Sequence, residues 1–152
     1  MPRSTRSRII REAYFEHPLY VPLVRRAYEL WDDLERESGR LLFHRTGGLM
    51  IGPAEGALVA GARRSAEEHA VAHEMLTADE TRRRWPAYDP PSDHVALFEH
   101  RAGLLLPEAC VQTYLELAVR RGAAVRTGEQ VREWRSEGEG VRVTTGAGTY
   151  HA

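Results

Sequence analysis

The sequence predicts a mixed α/β fold, an α/β or α+β arrangement of helices and short strands that closes in a β-meander. Three observations carry this. A helical period runs through residues 19–37, β-prone apolar runs pair up at 41–53 and 94–107, and glycine-spaced strands fill 123–152. The chain has 152 residues, enough to bury a core, and its 42% hydrophobic and 28% charged shares are those of a globular protein.

Residues 1–6 are polar and patternless, and an unstructured start is expected there. "RSRIIREAY" (6–14) comes next, with Arg8 and Arg11 three apart. On a helical turn this spacing puts both guanidinium groups on one side, and the planar fork of arginine matches a carboxylate or a phosphate. The residues point to an anion site and leave the anion open.

Leu19, Leu23, Ala27, Leu30 and Leu34, joined by Val24, Tyr28 and Trp31, recur at helical spacing and predict a helix over 19–37. Pro22 fits its first turn and Gly39 ends it. "LLFHRTGGLMIGP" (41–53) reads as a hairpin or bulged turn around Thr46–Gly47–Gly48. Residues 54–71 form an alanine-rich helix, and Thr77 with Glu80 opens another through a capping box, stopped by Pro86. Residues 94–107 read as two strands with a turn near Ala102–Gly103. A helix is expected from Pro107 to Gly122, with Val111, Tyr114, Leu115 and Ala118 as its buried face.

Net charge is −1, which argues against a nucleic-acid binder, because such a protein needs an uncompensated basic surface. The arginine pairs and the Arg82–Arg83–Arg84 run have acidic neighbours and read as solvated helix faces. No apolar run reaches bilayer length and no secretory signal precedes the first element, so a cytoplasmic, membrane-free protein is expected. Every basic side chain is arginine, so lysine chemistry cannot come from this chain. His69 and His73 have the spacing of zinc ligands on a helix but lack the accompanying glutamate; two surface histidines are expected, and no metal. The single Cys110, in the first turn of a helix, is expected to be a small core residue.

Beyond these motifs, the blocks "SRIIREAY" (7–14), "YVPLVRRAYELWDDLERESG" (20–39), "TGGLMIGP" (46–53), "RRRWPAY" (82–88) and "FEHRAGLLLPEACVQTYLELAVRRGA" (98–123) occur in one order. In that order they resemble the FAD-dependent amine oxidases of the sarcosine oxidase and N-methyltryptophan oxidase type. The resemblance runs from about Ser7 to the end of the chain. It implies a two-domain FAD-linked oxidoreductase fold: a substrate domain with a mixed sheet, supplying most of 7–122, and an FAD domain, supplying the meander of 123–152. It further implies oxidation of a secondary amine or N-methyl amino acid, with dioxygen as acceptor and hydrogen peroxide as product.

By the same resemblance, Arg11 matches an arginine that pairs with the substrate carboxylate. Arg8 matches one beside the flavin ring, and Val131 matches a cofactor-binding position whose backbone touches the adenine side of FAD. The family's GxGxxG turn, which seats a pyrophosphate on a helix N-terminus, is missing from this sequence, as is the half bearing the oxygen-activating lysine and the flavin-linking cysteine. An internal fragment is therefore expected, with no catalytic residue of its own, weak or absent FAD binding, and self-association through open sheet edges near 129–135 and 141–151. The alternative expectation is a non-catalytic binding or assembly module derived from such an enzyme.

Overall fold

The computed structural model describes residues 7–152; the start at 1–6 lies outside the described residues. Two compact units divide the chain, one running to Thr113 and the other from Tyr114 to Ala152.

The first unit is built on two antiparallel sheets. Strands β1 (Arg8–Ile10), β2 (Phe43–His44) and β6 (Gly103–Leu105) form one, in the order β1-β6-β2. Strands β3 (Gly48–Pro53), β4 (His73–Thr77) and β5 (His94–Glu99) form the other, with β5 in the middle. "LLFHRTGGLMIGP" is thus not a hairpin: β2 pairs with β6, while β3 pairs with β5. The chain changes sheet at Gly47, whose φ is +74° and where a Cβ would meet the Phe98 ring at 2.5 Å. Neither the backbone nor the space admits a larger residue there.

Helix α1 (Tyr20–Ser38) keeps Pro22 in its first turn and ends on Gly39 at φ +68°. Its buried residues are Val21, Tyr28 and Leu34, whereas Leu19, Leu23 and Leu30 are exposed. Helical spacing located the helix without fixing its inner face. The apolar positions are too numerous to define one stripe, and the ring of Tyr28, edge-on to Phe43 at 5.2 Å, sets the packing.

Helix α2 (Ala57–Glu68) lays Val59, Ala62, Ser65 and Ala66 against the sheet. Helix α3 (Ala78–Arg84) carries the full Thr77/Glu80 capping box. Strand β4 has no counterpart in the sequence pattern, which left residues 72–76 without an element. It begins at His73, while His69 caps the end of α2, so the two histidines do not share a helix. Among the described residues no group of three His, Cys, Asp or Glu side chains could hold a metal ion.

Helix α4 (Pro107–Arg120) crosses the boundary between the units. Cys110, Thr113 and Leu117 are its buried residues, while Val111, Tyr114 and Leu115 are exposed, which reverses the expected face. Cys110 is a core residue, and burial pushes its thiol pKa up, away from reactivity.

The second unit is the expected meander: β7 (Val131–Glu137), β8 (Gly140–Thr145) and β9 (Thr149–His151), antiparallel in that order. Gly138, at φ +62°, makes the first turn. Because β8 is paired on both sides, the open edges belong to β7 and β9 alone, not to the whole of 141–151. No helix among the described residues is long and apolar enough to cross a membrane.

Candidate functional site

A cleft of about 490 Å³ opens in the first unit, a volume suited to a small organic ligand. The end of β1 brings Ile9 and Arg11 to it, β3 brings Leu49 to Ile51, α2 brings Leu58, and β5 brings Phe98. Trp85 and Tyr88, in the turn after α3, complete an aromatic wall. Trp85 packs on Phe98 with ring centroids 4.9 Å apart. Among the described lining residues Arg11 is the one charged side chain.

Arg11 lies across two aromatic rings, its guanidinium carbon 4.7 Å from the centroid of Tyr14 and 5.4 Å from that of Phe15. Such stacking fixes the plane of the fork and leaves its edge for hydrogen bonding. One terminal nitrogen is 3.4 Å from each carboxylate oxygen of Glu16, a long contact for an ion pair. The Arg11 Nε is buried with no hydrogen-bond partner among the described residues. A buried, unpaired donor is costly unless something else satisfies it.

Arg8 does not join this site. It stands on a strand, where side chains alternate, so Ile9 and Arg11 share the cleft side and Arg8 does not. The reading of Arg8 and Arg11 as one helical pair fails because the isoleucines between them enter a sheet with Leu104 and Gly103. The Arg8 side chain is exposed and donates to the Ser7 carbonyl at 3.5 Å. Val131 lies on β7 in the second unit and is exposed.

The segment after Arg11 is held by groups that no sequence motif singles out. The Glu99 carboxylate, fully buried, accepts from the Glu12 N–H at 2.6 Å and the Ala13 N–H at 2.9 Å. Ser65 donates to the Tyr14 carbonyl at 2.5 Å. Gly61 admits the Phe15 backbone, since a Cβ there would stand 2.2 Å from its carbonyl oxygen. The Glu12 carboxylate, also buried, pairs with Arg25 and, at 3.7 Å, with Arg101. Burial raises the Glu99 pKa, the amide hydrogen bonds oppose that rise, and the Glu12 charge adds to it. Burial, with the charges of Glu99 and Glu12, also raises the pKa of Tyr28, whose hydroxyl donates to the Arg101 carbonyl at 3.1 Å. The one signal for Glu99 in the sequence is an acid that ends the continuous apolar run "VALF" of a doubly covered strand.

This arrangement can bind and orient an anion with an apolar body. It has no nucleophile–base pair among the described lining residues. At two of the four helix N-termini among the described residues the local donors are already used. The N-terminus of α3 is occupied by its own Glu80 carboxylate, and the turn into α2 bonds to itself through Gly56 N–H and the Pro53 carbonyl.

Relatives give this geometry its context. A monomeric sarcosine oxidase of Streptomyces avermitilis is 47% identical over 146 residues, covering 96% of this chain and 38% of the relative. An N-methyl-L-tryptophan oxidase of Salmonella dublin is 38% identical over 146 residues, covering 96% of this chain and 39% of its own length. Among solved structures, the open form of NikD, an unusual amino acid oxidase essential for nikkomycin biosynthesis, superposes with a TM-score of 0.85 at 28% identity, over 97% of this chain and 38% of that one. The chain thus spans under two-fifths of the length of the relatives it matches. The FAD dependent oxidoreductase (DAO) family model matches residues 4–152, and the chain belongs to that family.

Proposed function

We propose that this chain supplies the carboxylate-binding part of an FAD-dependent enzyme that oxidises a secondary amine or N-methyl amino acid, with dioxygen as acceptor and hydrogen peroxide as product. The observation that carries this is Arg11: a cation stacked on two rings, with an Nε that is buried and unpartnered among the described residues, lining a largely apolar cleft. A carboxylate on a small organic body meets both requirements, a planar acceptor for the fork and an apolar remainder for the wall. The names of the relatives, oxidases of sarcosine and N-methyltryptophan, favour an N-methyl amino acid.

Within this reading, residues 7–122 belong to the substrate side and the meander of 123–152 to the FAD side. Arg8 then stands beside the flavin, and Val131 contacts the adenine side. FAD supplies the redox chemistry when bound. This chain contributes recognition of the substrate carboxylate, works in the cytoplasm, and alone holds FAD weakly or not at all. The open edge of β7 favours self-association of the isolated chain.

The test is a titration of the 152-residue protein with phenylacetate, tracked at the Arg11 Nε–H resonance. Saturable binding that Arg11→Lys weakens by about tenfold or more supports the assignment, since lysine keeps the charge and loses the fork. Equal affinity in the two proteins refutes it.

A further inference from the structure

Arg11 lies just past the last residue of β1 and precedes the first helix, so regular secondary structure does not fix its place. The next two residues are gripped from β5. The two oxygens of Glu99 take the N–H groups of Glu12 and Ala13, at 2.6 and 2.9 Å. A carboxylate without exposure carries a heavy desolvation cost, and a neutral side chain of equal size would fill the same space without it. The two acceptor oxygens therefore have a use that filling space does not explain. Glu12, next along the chain, is committed to Arg25 and Arg101 and leaves Arg11 uncontested from that side.

We propose that Glu99 is a positioning residue for the carboxylate site: it clamps the backbone immediately after Arg11 and so sets where the guanidinium stands in the cleft. This rests on the carboxylate reading of Arg11 given above. Ser65 and Gly61 hold the far side of the same segment, at Tyr14 and Phe15, so that the backbone bearing the two rings under Arg11 is fixed from both flanks. Burial, the largest influence on the Glu99 pKa, raises it, and the two amide donors pull it back.

Glu99→Gln tests this, because it preserves volume and turns one acceptor oxygen into a donor that faces a backbone N–H. In the 152-residue protein, hydrogen exchange at the Glu12 and Ala13 amides should speed up by about tenfold or more, with that of Leu97 unchanged. The Arg11 Nε–H resonance should shift, and the dissociation constant for phenylacetate should rise about tenfold. A side chain that only fills space would move none of these. Wild-type binding with unchanged affinity in Glu99→Gln overturns the positioning role and leaves the carboxylate reading standing. A wild type that does not bind phenylacetate overturns the carboxylate reading and the positioning role together. If Glu99→Gln does not fold, the wild type decides: scalar couplings from the Glu12 and Ala13 amide nitrogens to the Glu99 carboxyl carbon support the clamp, and their absence overturns it.

Discussion

The two units spend their polar groups in opposite ways. In the first, withdrawn carboxylates fasten backbone: the buried Glu99 holds Glu12 and Ala13, and the half-buried Glu35 accepts from the N–H groups of Leu42 and Phe43 at 2.6 and 2.8 Å. In the meander, every residue of β7 is exposed, Trp134 is 70% exposed, and the acid that matters, Glu129, takes hydroxyl donors from Thr145 and Tyr150 near the surface. A three-stranded sheet whose first strand is exposed throughout gains little from burial, whereas the first unit has a close-packed core that holds side chains in place. A site that must present one guanidinium in one place belongs in the first kind of structure.

Substitutions should bear this contrast out, beginning with the deepest. Phe43→Ala removes a fully buried ring packed on Tyr28 and should cost about 3–5 kcal/mol in urea unfolding of the first unit. A cost under about 1 kcal/mol would show that the core is not close-packed there.

Gly61→Ala drives a Cβ onto the Phe15 carbonyl and should cost about 1–3 kcal/mol, with the Arg11 Nε–H resonance displaced as the segment shifts. A silent spectrum would detach α2 from the site.

The pH dependence should differ in sign between the units. The Glu99 pKa is raised in the folded protein, so its contribution is fully present below the ordinary carboxyl range, about 4.3, and is lost as pH rises through the folded value. The Glu129 pKa is lowered by the Thr145 and Tyr150 hydrogen bonds, so its contribution is present above that range and lost as pH falls. Urea midpoints measured against pH for Glu99→Gln and Glu129→Gln, each relative to wild type, should therefore slope in opposite directions. Parallel slopes would contradict the assignment of either carboxylate.

The smallest effect belongs to the meander. Trp134→Ala should change stability by no more than about 0.5 kcal/mol, because an exposed ring has little burial to lose. A cost like that of Phe43→Ala would mean that the face is covered in solution.

Much of the architecture was legible from local signals. The Thr77/Glu80 box, the Gly39 and Gly122 stops and the glycine-turned meander are each set by a few neighbouring residues, and each stands where the pattern puts it. Partnership was not legible. Nothing within "LLFHRTGGLMIGP" says that β2 and β3 join different sheets, because that choice is made by β5 and β6, more than forty residues away. The inner face of α4 was misjudged, and that of α1 left open, for a related reason: apolar residues surround much of both helices, and tertiary neighbours choose among them. At the site, Arg11 was visible as a fork-bearing residue in a suggestive block. Its aromatic shelf of Tyr14 and Phe15 and its Glu99 clamp were not, since a clamp 86 or more positions away leaves no local trace. On spacing alone Arg8 and Arg11 read as one helical pair, and a strand separates them.

The most direct measurement compares two probes of one shape, phenylacetate and phenylacetamide, titrated into the 152-residue protein while the Arg11 Nε–H resonance is monitored. If Arg11 is there to hold a carboxylate, the acid binds at least about tenfold more tightly than the amide and moves that resonance on saturation. Equal binding of the two, or acid binding that leaves Arg11 unmoved, would contradict the account.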